Sequence, residues 1–146
     1  MTTPLTPTAR PDATAGHRHR LLAVFAALNA LSAWFGVVGL VGGGLSFGED
    51  LDQRLPFDSL VLAGVALAVV VALPSTILAV LAWRGDPRTP AAATALGVLL
   101  IGWIVVQLLF LQSFSFFQPL YTAIGVAFLV AGRRLARRSG DPGPAA

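Results

Sequence analysis

Four stretches of the chain run long enough without a charged side chain to cross a bilayer, and short polar or proline- and glycine-rich segments separate them. A hydrocarbon core about 30 Å thick takes roughly 20 helical residues. The first stretch covers residues 21–41, the second 59–83 and the third 91–112. The fourth, 117–136, is marginal: Pro119 lies near its start and Arg133 interrupts it. About 16 residues precede Arg133, nearer 24 Å than 30 Å at about 1.5 Å per residue. It spans if the helix continues through Leu135 and Ala136 while Arg133 and Arg134 reach up to the headgroups, or if the bilayer thins. The apolar residues are continuous and do not alternate at period two, which selects helices over barrel strands. The predicted fold is all-α: a polytopic membrane protein with four transmembrane helices in an antiparallel bundle.

Composition agrees with that pattern. Of 146 residues, 55% are hydrophobic and 12% charged, with mean hydropathy +0.76. Soluble chains carry roughly 25% charged residues, so half the usual supply is present to cover a surface. An ordinary soluble domain is excluded, as is a disordered or fibrous chain. The absence of cysteine excludes a disulfide scaffold.

The arginines orient the helices, and no lysine complicates the count. Arg10, Arg18 and Arg20 precede the first span, Arg84 and Arg88 lie between the second and third, and Arg133, Arg134, Arg137 and Arg138 follow the last. The loop after the first span instead holds Glu49, Asp50, Asp52 and Asp58 against Arg54. The positive-inside rule then puts both termini in the cytoplasm. A three-span reading would leave four arginines outside.

Residues 1–19, rich in Thr, Pro and Ala, read as a disordered cytoplasmic arm, residues 20–138 as the transmembrane domain, and residues 139–146 as a disordered cytoplasmic tail. The first apolar run exceeds the 7 to 15 residues of a signal-peptide core, so it reads as a retained anchor. Small residues recur at four-residue spacing in every span, including Ala93 with Gly97 and Ala123 with Ala127 and Ala131. Such rows let helices approach closely in lipid, within one bundle or between copies. Pro74 removes the donor for the carbonyl of Val70 and predicts a kink in the second helix unless Ser75, Thr76 or a neighbour compensates.

The intramembrane polar contacts fall to Asn29, Ser32, Ser75, Thr76, Gln107 and Tyr121, with Thr94 and Thr122 beside them. Amides in hydrocarbon need partners. Asn29 and Gln107 are expected to point inward, with each other as one pairing, either as interhelical glue or as ligand contacts. Tyr121 and the phenylalanines of the turn before it suit an aromatic belt at the external interface. Pro119 fits the first turn of the fourth helix, where a missing N–H is harmless.

No Asp, Glu, Lys, Arg or His falls within the first three spans or before Arg133 in the fourth. Proton-coupled transporters, pumps and voltage sensors place such groups at membrane depth. No cysteine pair, HExxH, GxSxG or phosphate loop is present. The reading is therefore not an enzyme, with no cofactor and no metal: His17 and His19 sit in the basic run HRHR, and the external acidic loop lacks EF-hand spacing. Arg133, Arg134, Arg137 and Arg138 are expected to contact anionic lipid headgroups, each worth about 1 kcal/mol near the surface, which leaves no reason to invoke nucleic acid.

The stretches LPFDS, LPSTILAVLAW, GWIVVQLLFLQSFSFFQPLY and AGRRLARR resemble a widespread family of small bacterial four-helix integral membrane proteins of unknown function, especially of actinobacteria. The resemblance covers roughly residues 59–134 and is most specific over 102–121. It implies a multi-pass protein of the bacterial inner membrane. Members often carry an acidic residue where Gln107 stands, and the neutral amide carries over no ionisable role.

Two functions fit these observations. One is a non-enzymatic inner-membrane bundle that packs with itself, with a partner membrane protein or with lipid. The other is a small oligomeric transporter or pore for a neutral or lipophilic solute, lined by Asn29, Gln107, Ser75, Thr76 and Tyr121 near Pro74.

Overall fold

A computed structural model of the chain describes residues 13–42, 59–111 and 117–139, which are helical apart from residues of the connecting turns. The helices are α1 (Ala13–Val41), α2 (Leu60–Arg84), α3 (Thr89–Leu111) and α4 (Phe117–Ser139). Three are long and apolar enough to cross a membrane, over Gly16–Val41, Leu60–Arg84 and Thr89–Leu109. The expected arm at residues 1–12, the acidic loop, the turn at 112–116 and the tail after Ser139 lie outside the described residues.

The helix ends follow local chemistry. Ser59 caps α2, its Oγ accepting the Leu62 N–H at 3.2 Å, which satisfies one of the donors a helix N-terminus leaves open. At the other end Gly85 adopts φ 65. There the Gly85 N–H donates to the Ala82 carbonyl and the Asp86 N–H to the Leu81 carbonyl, a glycine-dependent stop. Asp86 Oδ1 then accepts the Arg88 N–H at 2.8 Å and the Asp86 carbonyl accepts the Thr89 hydroxyl at 2.7 Å, which closes the turn into α3. Pro90 and Pro119 occupy the first turns of α3 and α4, where no intrahelical donor is missed.

Two boundaries differ from expectation. α1 starts at Ala13, so residues 13–19 are helical and not part of an arm. A helix once nucleated by the apolar run adds a hydrogen bond for each residue it extends, and residues 13–19 contain no proline to stop it. α4 runs through Arg133 and Arg134 to Ser139, 23 residues in all. That is about 34 Å of helix, so the interruption at Arg133 is one of polarity and not of backbone.

Pro74 is accommodated without ending α2. A π-helical turn, Ala68–Ala72, precedes the segment Leu73–Arg84 that contains it, and the Leu73 N–H reaches the Ala68 carbonyl five residues back. The irregularity expected at Pro74 thus takes the form of a π turn. The wide turn carries two adjacent, fully buried residues, Val71 and Ala72.

All four helices feed one core, with Ala26, Leu78, Leu100 and Phe128 among its members. α3 and α4 make the closest backbone approach. A Cβ on Gly97 would stand 2.6 Å from the Leu129 nitrogen and 2.7 Å from the Gly125 carbonyl oxygen, and one on Gly132 2.7 Å from the Pro90 carbonyl. These contacts run in opposite order along the two helices. α1 and α2 approach at Gly64, whose Cβ would stand 2.8 Å from Val41. α1 and α4 meet through larger side chains, with the Phe25 and Phe128 ring centroids 5.0 Å apart. Outward, the bundle shows lipid-like residues: Phe35 is 76% exposed, Leu109 70% and Trp83 69%.

Candidate functional site

The polar side chains of the apolar helices gather into a seam that starts on α1. Asn29 lies on the face that also carries Ala26, Ala30 and Ala33, and these small neighbours let α2 come near. Its Nδ2 donates to Ser75 Oγ at 2.8 Å, with Asn29 7% and Ser75 0% exposed. Both groups are withdrawn from surroundings that offer no other partner, so the bond satisfies an amide and a hydroxyl together.

One turn further along α1, Trp34 Nε1 donates to Thr76 Oγ1 at 3.2 Å, and the Thr76 hydroxyl donates to the Ala72 carbonyl at 2.8 Å. Such a chain polarises each bond in turn, and it draws on the backbone of the π turn. On the α4 side Ser32 Oγ and Tyr121 OH stand 3.4 Å apart, either being the donor. α1 is thus tied to α2 by two side-chain hydrogen bonds and to α4 by a third, longer one. Ser32 and Thr76 are exposed and Tyr121 is half-buried, so the seam is dry at Asn29 and Ser75 and open to the surroundings at its flank.

Gln107 stands apart. It is half-buried on α3, while the Asn29 amide goes to Ser75, so the expected amide pairing is replaced by an amide–hydroxyl pair on a different helix. Helical periodicity places Asn29 on a face without saying which neighbour meets it. Tyr121, in the first turns of α4, packs against the core and meets Ser32.

Three polar residues were not singled out from sequence as contacts of the bundle. Trp34 completes the seam, and the obligation of an indole N–H in hydrocarbon to find an acceptor was the available signal. Thr89 is fully buried, held by Asp86 in the turn before α3. Gln118, 5% exposed, is buried at the start of α4, and its carbonyl accepts the Thr122 hydroxyl at 2.8 Å. Thr94 similarly donates to the Pro90 carbonyl at 2.9 Å.

Among the described residues the charged side chains collect at one end. Arg18 of α1 and Arg134 of α4 border one groove, and Arg84 of α2 borders another with Ala23 and Leu28 of α1. Arg133 and Arg137 are exposed, and the side chain of Arg138 lies outside the described residues. Among the described residues no three His, Cys, Asp or Glu side chains come together as a metal site would need.

No known protein family, curated protein or solved structure matches the chain. The seam is neutral, hydrogen-bonded at its buried centre, and built from hydroxyls, an amide and an indole. Such groups hold helices together or offer hydrogen bonds to a neutral molecule.

Proposed function

We propose that the chain is a non-enzymatic integral protein of the bacterial inner membrane. It is an antiparallel four-helix bundle with both termini in the cytoplasm, and it acts by packing with itself, with a partner membrane protein or with lipid. The observation that carries this reading is the pair Asn29–Ser75: two buried polar groups on neighbouring apolar helices bond to each other. That bond lies inside the bundle, while large apolar residues such as Phe35 and Leu109 face outward. An inside-out distribution of that extent suits lipid and not water.

α4 is the fourth span. It is long enough, and Arg133 and Arg134 extend from its apolar part toward headgroups. The shared end of Arg18, Arg84 and Arg134 is the cytoplasmic one.

A second reading draws on the flank of the seam. Ser32 and Thr76 are exposed, and a π turn, a device frequent at functional sites, adjoins them. In an oligomer this flank would line a path for a neutral or lipophilic solute.

Single cysteines separate the two readings, since the chain has none of its own. With cysteine at Asn29, Ser32, Thr76 or Gln107 in membrane vesicles, a packing bundle stays unlabelled by a water-soluble thiol reagent. A pathway labels from one side. Cysteines at Ser59 and Arg88 test topology in the same preparation, with Arg88 reacting only from the cytoplasmic side and Ser59 only from the other.

A further inference from the structure

α1 and α4 touch through Phe25 and Phe128 and through Ser32 and Tyr121, and toward the arginine end they leave a groove of about 680 Å³. That lies within the range of small-molecule sites, about 300–1,000 Å³. Arg18 and Leu22 border it from α1, and Ala123, Ala127, Ala131 and Arg134 from α4. Its walls are apolar along their length and its two charges are both guanidiniums, one from each helix. The small row on α4 is thus only partly consumed by the bundle: Ala131 packs against the core, Ala123 and Ala127 are exposed, and Gly97, Gly125 and Gly132 make the α3–α4 contact.

We propose that this groove binds one anionic phospholipid, with its phosphate between Arg18 and Arg134 and an acyl chain laid along Ala131, Ala127 and Ala123. Charge complementarity selects the head. Both arginines are exposed, and the one carboxylate among the described residues, Asp86, accepts a backbone N–H at the α2–α3 turn. Guanidiniums pair well with phosphate oxygens.

Length selects the tail. From Ala123 to Arg134 is about 17 Å of helix at about 1.5 Å per residue, close to the roughly 15 Å of one leaflet in a core about 30 Å thick. A second copy of the chain fits less well. Oriented alike in the membrane, it would bring its own arginines to the same end, where the one carboxylate among the described residues, Asp86, already accepts a backbone N–H.

The site rests on the membrane reading above and goes beyond it, because it names one lipid class, one stoichiometry and Arg18. The test is native mass spectrometry of the full chain in mild detergent with equal amounts of dioleoyl-phosphatidylglycerol and dioleoyl-phosphatidylcholine. One phosphatidylglycerol per chain is expected, retained at least tenfold over phosphatidylcholine. The double variant Arg18→Gln/Arg134→Gln loses that preference. Arg20→Gln/Arg88→Gln removes the same charge from exposed positions outside the groove and keeps it. Ala127→Leu fills the groove and also loses it with both arginines present.

Equal retention of the two lipids, equal loss in both arginine pairs, or a dimer in place of the lipid adduct would overturn the site. Flotation with vesicles separates this failure from failure of the membrane reading. A chain that floats without lipid preference lacks only the groove site, and a chain that does not float is not an integral membrane protein.

Discussion

The Asn29 amide and the Ser75 hydroxyl, 2.8 Å apart and 46 positions apart in sequence, join α1 to α2 directly after Pro74. Just before that proline, the π turn holds Val71 and Ala72 fully buried together. The hydrogen bond and the irregular turn therefore act on the same stretch of α2. Thr76, the next residue, turns its hydroxyl back to the Ala72 carbonyl, a common habit of hydroxyls in helices.

Removing either partner leaves the other buried and unpaired. Asn29→Leu and Ser75→Ala are each expected to destabilise the bundle by about 1 kcal/mol, at the lower end of the soluble-protein range of about 1–3, because unfolded helices in a membrane also find partners. The double-mutant cycle should return a coupling of about 0.6 kcal/mol, and at most about 1.7. Reversible unfolding in bicelles measures it. A coupling of zero would mean that the pair contributes nothing to holding α1 on α2.

The α3–α4 contact depends on missing side chains. Gly97→Val and Gly125→Val insert atoms where even a Cβ meets a neighbour, at 2.6 Å and 3.0 Å, and each should destabilise by about 1–3 kcal/mol through overpacking. Gly102 lies on the same helix with nothing within 4 Å of its Cβ. Gly102→Ala should be neutral or stabilising by up to about 1 kcal/mol through helix propensity. Thermal unfolding of the three variants side by side makes the comparison, and equal effects at Gly97 and Gly102 would contradict the interface.

Gly85 tests backbone conformation without sterics. Nothing lies within 4 Å of its Cβ, yet its φ is 65. Gly85→Ala should therefore destabilise by about 1 kcal/mol from the left-handed conformation alone. Gly85→Asn should recover part of that loss, since asparagine tolerates the region better than other non-glycine residues. Loss of protection at the Asp86 amide in hydrogen exchange would accompany the alanine variant.

Two phenylalanines give opposite expectations. Phe128 is 0% exposed and lies tilted against Phe25, while Phe35 is 76% exposed. Phe128→Ala should cost about 3 kcal/mol through the cavity it leaves. Phe35→Ala should leave stability in lipid unchanged to within about 0.5 kcal/mol, because lipid replaces the lost contacts. Denaturation of both in the same bilayer mimetic decides it, and a large effect at Phe35 would mean that another protein surface covers it.

That the chain is helical, where its apolar helices lie and how several of them end could be read from local chemistry along the chain. Ser59, Gly85, Pro90 and Pro119 act on their own backbone, within a turn, so their effects are readable without neighbours. Which faces meet could not be read that way. The helices are apolar nearly all round, so no polar side marks an exterior, and rotation about each axis is settled by close packing alone. That is why Asn29 meets Ser75 and not Gln107, why Gly97, Gly125 and Gly132 carry the α3–α4 contact, and why the Ala123–Ala127–Ala131 row lies outside it. Small residues at regular spacing permit a close approach on several faces. Packing of all four helices together selects which of them is used, since burying one face of a rigid helix turns the others toward different neighbours.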